Sequence, residues 1–483
     1  MIQTPTLVFP PILPELFLVG FAIVGLLYEA IARRSDRMVH LLIAMSGLAM
    51  AAASSIVLWN WTGDATVMGG MVNADRFAVV GRVLIIAIAA FGLLYGLHYL
   101  DRSERQPRGE FFPLVLFATS GMTLIVASAD LIVMFLALEI LSLSLYVLTG
   151  ITGRRASNEA AVKYFLLGAA SSAFFLYGVA MAYGATNTTH ITAMARALSG
   201  TTGNQAIALL AMAFLVVGFA FKVSAVPFHM WTPDVYQGAP TPVTAYMSAA
   251  TKAAAFLALI RVFDVGLQPL TWDWTPVIWV LAALSILLGS VLAIAQTDIK
   301  RMLAYSSIAQ AGFILTGLTA ANSTGISAAM FYLVSYAVMT LGAFGVVMLV
   351  SARGEEQTSL SSYTGLFRRS PLLAGLMTVF LLSLAGIPPT AGFIAKVGVF
   401  SAAIGAGNWP LALLGTLASV VAAFFYLRVV VLMFMREPEG EQDEDPSLMP
   451  RVALVILAGA TILLGVLPGL ITCLLRDASV LRW

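Results

Sequence analysis

Lys222, Lys252 and Lys396 lie inside long apolar segments, far from other charged residues. A charge at the centre of a bilayer costs at least about 2.5–3.5 kcal/mol on insertion scales, so such residues are rare and usually functional. A lysine that is removed from water can release its proton, whereas an arginine stays protonated. The choice of lysine therefore predicts groups that exchange protons rather than a fixed binding site for an anion.

Glu139 is the acidic residue that could act with these lysines. It follows Asp130 by nine residues within an apolar segment, which places it about 13 Å into a helix. A carboxylate at that depth is charged only if a cation accompanies it. Moving the acid away would let a paired lysine lose its proton, so the pair could act as a switch. A static ion pair is the alternative for Glu139. For the lysines the alternative is extension to the membrane surface or a structural ion pair.

Three further residues are weaker candidates for the same proton path. Lys163 follows Glu159 by four residues, which also suits an ordinary surface ion pair on a helix. His229 follows Pro227, and histidine titrates near neutral pH. Tyr305 has a hydroxyl that could relay a proton. Both His229 and Tyr305 could instead be packing residues.

The composition defines the class of protein that carries these residues. The chain has 483 residues, of which 60% are apolar and 10% charged, against about 25% charged residues in soluble proteins. This excludes a soluble enzyme, a disordered protein and a nucleic-acid binder. A single cysteine, Cys473, excludes a disulfide scaffold, a cysteine-ligated zinc site and an iron–sulfur cluster bound by this chain. We therefore predict an all-α polytopic membrane protein that binds no metal or cofactor itself.

The apolar segments predict about fourteen transmembrane helices, each of about 20 residues. They divide into an N-terminal three-helix segment at 1–110, two five-helix units at 111–265 and 275–436, and a C-terminal helix at 450–483. Helix-breaking residues interrupt the seventh span at Pro227 and the twelfth at Pro388 and Pro389. The interrupted helix is the fourth of each unit. Because five is odd, the second unit must be inverted, and interruptions at matching places mark an ion path.

The sequence places Lys300 in a loop, unlike the other lysines. Arginine follows a different pattern from lysine. Alternate loops hold most of the arginines, among them Arg33, Arg102, Arg154 and Arg436, and the intervening loops hold few. The positive-inside rule assigns the arginine-rich loops to the cytoplasm. With an even number of spans, both termini then face the periplasm of a bacterial inner membrane.

The sequence resembles the antiporter-like membrane subunits of respiratory complex I. The resemblance covers most of residues 111–436 and is carried by NEAAVKYFLLGAASSAFFLYG, KVSAVPFHMWTPDVYQGAPTPVTAYMSAATKAAAF, QTDIKRMLAYSSIAQAGF and LAGIPPTAGFIAKVGVF. The motif W-T-P-D-V-Y-x-G-A-P favours one subunit type within this family. One departure is Pro389 directly after Pro388, because a single proline suffices to break a helix.

The resemblance implies fourteen helices with inverted five-helix repeats. It also implies a proton path that uses Glu139, Lys222, Lys252 and Lys396, with Lys163, His229 and Tyr305 along or beside it. The chain would be a subunit without a redox centre in an NADH:quinone oxidoreductase. NADH, FMN, iron–sulfur clusters and quinone would be bound by the whole complex, and other membrane-arm subunits would be its partners.

Two other functions stay open at this point. The chain could be a subunit of a multisubunit sodium/proton antiporter that is driven by ion gradients. It could also be a structural spacer, in which case its buried lysines would tolerate methionine. The insertion cost of three lysines argues against the spacer.

Overall fold

The computed structural model describes residues 8–32, 36–61, 66–102, 109–200, 204–350, 356–437 and 447–481. The regular secondary structure of these residues is α-helical, apart from a two-stranded hairpin, β1 (Thr66–Val67) and β2 (Val72–Asn73), and short 3-10 or π turns. The helices are α1 (Leu13–Ile31), α2 (Arg37–Val57), α3 (Arg76–Arg102), α4 (Phe111–Ala127), α5 (Leu131–Gly150), α6 (Arg155–Thr186), α7 (Ile191–Ser199), α8 (Gln205–Val223), α9 (Trp231–Gly238), α10 (Thr241–Ile260), α11 (Thr271–Ile294), α12 (Ile299–Leu318), α13 (Ser323–Val350), α14 (Leu366–Arg369), α15 (Pro371–Ala385), α16 (Ala391–Gly405), α17 (Trp409–Met435), α18 (Leu448–Val466) and α19 (Gly469–Ala478).

The described residues include eleven helices that are long and apolar enough to cross a membrane, and three shorter apolar helices, α4, α15 and α16. The predicted class, an all-helical polytopic membrane protein, is confirmed. Large apolar side chains cover the outer faces of α1, α2 and α17, as expected of surfaces that face lipid.

α10 and α13 form the centre of the bundle. The most apolar 18-residue stretch of the span that contains α10 is completely buried, and 89% of the corresponding stretch of α13 is buried. α10 packs against α3, α4, α8 and α13, and α13 also packs against α15, α16 and α18. Alanine and other small residues dominate α10, which lets its neighbours approach closely. Lys252 therefore lies on a helix that protein surrounds on every side.

Both predicted helix interruptions are present. α8 ends at Val223 and is followed by Ser224 at φ +65°, and α15 ends at Ala385 and is followed by Gly386 at φ +87°. The chain becomes helical again at α9 and at α16. The bonds that precede Pro227 and Pro389 are cis. The sequence placed the first interruption at Pro227. In the structure α8 ends directly after Lys222, because the backbone turns at Ser224, before Pro227.

Candidate functional site

Lys222 is the penultimate residue of α8 and is 3% exposed. Its Nζ donates a hydrogen bond to Ser142 Oγ on α5 over 2.7 Å. The rings of Tyr146, Tyr164 and Phe221 surround it, with centroids 5.8–6.0 Å from Nζ. Aromatic faces attract a desolvated cation, so this pocket can hold an ammonium group without a carboxylate in contact.

Glu139 lies one turn before Ser142 on α5, and its carboxylate accepts a hydrogen bond from Ser172 Oγ on α6. Within the described residues, Glu139 and Lys222 form no direct ion pair, which differs from the pairing that the sequence suggests. The reason is that Ser142 takes the position beside the lysine. The acid and the lysine thus have different hydroxyl partners, Ser172 for Glu139 and Ser142 for Lys222.

Lys252 is 1% exposed and lies midway along α10. Its Nζ donates to both the side-chain hydroxyl and the carbonyl of Ser307 on α12. The Tyr336 hydroxyl of α13 also donates to Ser307 Oγ, over 2.9 Å, and its ring centroid lies 5.6 Å from the lysine Nζ. Ser307 therefore links α10, α12 and α13 by hydrogen bonds beside Lys252.

Lys396, on α16, reaches back across the interruption and donates to the carbonyl of Ala385, the last residue of α15, over 2.8 Å. A cation at a helix C-terminus is favourable because the terminal carbonyls carry partial negative charge. The ring of Phe313 lies below Nζ at 4.6 Å. A Cβ at Gly386 would lie 2.9 Å from Lys396 Cδ, so glycine leaves room for the lysine as well as permitting the positive φ.

A buried hydrogen-bonded chain lies between the lysines of α10 and α16. Ser306 pairs with the hydroxyl of Tyr426, and Gln310 Nε2 donates to that hydroxyl over 3.3 Å and to the Leu384 carbonyl over 3.0 Å. Tyr332 donates to Gln310 Oε1. These side chains were not expected from the sequence. The sequence feature that could have revealed them is the spacing of Ser306 and Gln310, which are four residues apart and so share one face of α12.

Lys163, His229 and Tyr305 lie outside this row of buried lysines. Lys163 pairs with both Glu159 and Asp234 at 2.9 Å, and its side chain is 43% exposed. Arg301 also pairs with Asp234, at 2.7 Å. The pair with Glu159, the alternative left open by the sequence, is thus formed, but Asp234 also links α6 to α9 and α12.

The other two residues have different surroundings. His229 is half-buried in the segment between α8 and α9, beside the backbone of Pro227. Tyr305 is partly buried on α12, where it packs against the core and lies near Arg301.

Two buried ion pairs correct the expectation that arginine serves the loops. Arg82, on α3, is fully buried and pairs with Glu15 of α1 at 2.9 Å. Arg261 follows α10 and binds both oxygens of Asp75 at 2.8 and 2.9 Å. Burial opposes ionisation of Asp75, but the guanidinium of Arg261 holds the pKa of that carboxyl below its usual value. Such pairs are recognised only when the fold brings distant residues together, here 67 and 186 positions apart.

Lys300 requires a second correction, because the sequence placed it in a loop. It lies in the first turn of α12, is fully buried and pairs with Glu356 at 2.7 Å. All five lysines therefore lie on helices, and four of them are buried.

Gly392 fixes the packing of the two helices at the second interruption. Its N–H donates to Ser383 Oγ over 3.1 Å, and a Cβ on it would lie 1.9 Å from the carbonyl oxygen of Ser383. We expect Gly392→Ala to destabilise the subunit by about 1–3 kcal/mol, because backbone must move to relieve the overlap. The measurement is the amount and thermal stability of assembled complex on native gels. The control is Gly398→Ala on the same helix, whose Cβ would meet its nearest neighbour at an ordinary 3.6 Å. Equal stability of the two variants would contradict the prediction.

The described residues contain no group of three His, Cys, Asp or Glu side chains that could hold a metal ion. The single cysteine, Cys473, is free and exposed. The chemistry that these buried groups can perform is the binding, release and relay of protons by lysine, carboxylate and hydroxyl groups.

Comparison with known proteins defines the class. The chain belongs to the family described as NADH:quinone oxidoreductase/Mrp antiporter, transmembrane, which matches residues 128–422. A chain of respiratory complex I from Thermus thermophilus, solved with bound aureothin, is 36% identical and superposes with a TM-score of 0.81 over 96% of this chain and 99% of that one. A chain of the Mrp complex from Dietzia sp. DQ12-45-1b has a TM-score of 0.85 at 22% identity over 97% of both chains, a likeness of fold alone.

Curated relatives show the subunit type to which this chain is similar. NADH-quinone oxidoreductase subunit N of Rhodococcus opacus is 45% identical over 97% of this chain and 95% of the relative. The subunit of the same name from Mycobacterium tuberculosis H37Rv is 42% identical over 97% of both chains. The resemblance seen in the motifs therefore extends over nearly the full sequence.

Proposed function

We propose that this chain is subunit N of a bacterial NADH-quinone oxidoreductase and that it translocates protons in the membrane arm. The names of its relatives support the assignment to the complex. The observation that carries the role in translocation is the row formed by the partly buried Glu139 and the buried Lys222, Lys252 and Lys396. Each lysine is at most 5% exposed and is held by hydroxyl, carbonyl or aromatic groups.

Transfer of electrons from NADH to quinone would take place in other subunits, which would bind FMN, iron–sulfur clusters and quinone. This chain would respond through charge changes along its row of buried groups. Adding or removing a charge at one member alters the proton affinity of the next, because Coulomb interactions are strong where water is excluded. Ser142 and Ser307 would relay protons between lysines and their neighbours, and Lys163, His229 and Tyr305 would connect the row to water.

Fourteen spans are consistent with the helices. Eleven are long enough by themselves, α4 and α12 would be two more, and the pair α15 and α16 would make the last. The units 111–265 and 275–436 would then be inverted repeats, each with its interruption in the fourth helix. The segments 1–110 and 450–483 would flank them. Both termini would face the periplasm.

Purification of the tagged subunit from its native membrane tests the assignment. We expect flavin-containing and iron–sulfur subunits, together with NADH:quinone activity, to co-purify with it. Co-purification with a set of sodium/proton antiporter subunits, without flavin or iron, would favour the alternative in which ion gradients drive transport.

A further inference from the structure

Glu356 lies in the segment that connects α13 to α15, close to where α10 and α12 begin. Its Oε1 accepts a hydrogen bond from the backbone N–H of Thr241, the first residue of α10, over 3.0 Å. Its Oε2 accepts one from Lys300 Nζ, in the first turn of α12, over 2.7 Å. Lys300 Nζ also donates to the carbonyl of Ala239 over 2.6 Å. One buried ion pair thus joins the first turns of two helices.

The backbone around Glu356 reinforces this junction. Ile299 N–H donates to the Thr358 carbonyl over 2.7 Å, and Leu360 N–H donates to the Thr297 carbonyl over 2.8 Å. The segment from 356 to 360 is therefore fixed against the start of α12, and the carboxylate of Glu356 extends from it to the first residue of α10. A carboxylate at the first turn of a helix also meets the positive end of the helix dipole.

The two helices that Glu356 joins carry the two partners of the central lysine contact. Lys252 lies on α10 and donates to Ser307 on α12. α10 packs mainly on α3, α4, α8 and α13, whereas α12 packs mainly on α11, α13, α9 and α16. Both helices pack on α13, but neither has the other among its main packing neighbours, so polar contacts are what join α10 directly to α12.

We propose that Glu356 and Lys300 are a positioning pair that sets α10 relative to α12 and so holds Lys252 against Ser307. The Lys300 side chain is fully buried and that of Glu356 is largely buried, with 0% and 16% exposure. Burial opposes ionisation of Glu356, but Lys300 holds the pKa of this carboxyl below its usual value. Neutralising one partner leaves the other as an uncompensated buried charge, whereas neutralising both does not.

The test uses the intact complex in native membrane vesicles and measures protons pumped per NADH oxidised. Its link to pumping rests on the proposed function. We expect Glu356→Gln and Lys300→Gln each to lower this ratio about threefold or more, and the double variant Glu356→Gln/Lys300→Gln to recover most of it. A residue that only filled space would show no such mutual rescue. The matched control is Glu437→Gln, which removes a carboxylate from an exposed ion pair with Arg368.

A cryo-electron microscopy structure of the Glu356→Gln complex supplies a second readout, in which we expect the Lys252–Ser307 contact to be broken. An unchanged contact, or single variants that pump normally, would overturn the proposal. If the single variants do not assemble, the double variant decides, since pumping as low as that of Lys252→Met would overturn it. Lys222→Ala distinguishes a failure of the proposed function from a failure of the positioning pair. Normal pumping in that variant would contradict the proposed function, while the Lys252–Ser307 contact would still test the positioning pair.

Discussion

Lys222→Ala is expected to reduce NADH-driven proton pumping at least about tenfold while the complex still assembles. Alanine has no exchangeable proton, so a proton crossing this part of the bundle would lose the site that now holds it between Ser142 and the three aromatic rings. Placing a charge in apolar surroundings without such a group costs several kcal/mol, and about 1.4 kcal/mol already corresponds to a factor of ten in rate. The measurement is the pH change in inverted membrane vesicles after addition of NADH.

Leu210→Ala is the control for Lys222→Ala, because it shortens an exposed side chain on the same helix, α8. It should leave pumping unchanged. Native gels establish that both variants assemble. Pumping at the level of the unmodified protein in assembled Lys222→Ala complex would remove Lys222 from the proton path.

Lys396→Met is expected to have an effect of similar size, at least about tenfold on pumping. Methionine has nearly the length of lysine and packs well against an aromatic ring such as that of Phe313, so the fold at the interruption should persist. The variant loses the hydrogen bond to the Ala385 carbonyl and the only charge in the sequence between Arg369 and Arg428. Loss of the site should again raise the barrier to proton transfer by more than about 1.4 kcal/mol.

This substitution also separates proton translocation from a purely structural role. A spacer subunit would tolerate methionine at position 396 with little change in pumping, and that result would favour the spacer. Val397→Ala, at an exposed neighbouring position of α16, is the control. Rates of NADH oxidation measured in the same vesicles would show whether electron transfer and pumping fall together.

The sequence was sufficient to place the interruptions and the buried lysines. Proline and glycine act on the backbone locally, so Pro227 and Pro388 marked both interruptions to within a few residues. Lysines within membrane spans usually face the interior of the protein, and Lys222, Lys252 and Lys396 are indeed buried.

The partners of these lysines could not be read in the same way. Ser142 lies 80 positions from Lys222, and Ser307 lies 55 from Lys252. Which hydroxyl faces which lysine depends on how helices pack, and a single sequence does not specify that packing. The burial of Lys300 was missed for the same reason, because its partner Glu356 lies 56 positions away in the sequence.

The helix that carries Lys252 has a further consequence for how the protein is made. Its span has a mean hydropathy of 1.5, the lowest of the eleven candidates, and its most apolar window is the one that is wholly enclosed. Such a segment is stabilised least by contact with lipid and most by packing against other helices. That packing is complete only after α13 has been synthesised. The central lysine therefore enters the membrane on a helix that depends on later parts of the chain for its final position. Biogenesis of this subunit should be most sensitive to delay between the synthesis of α10 and that of α13.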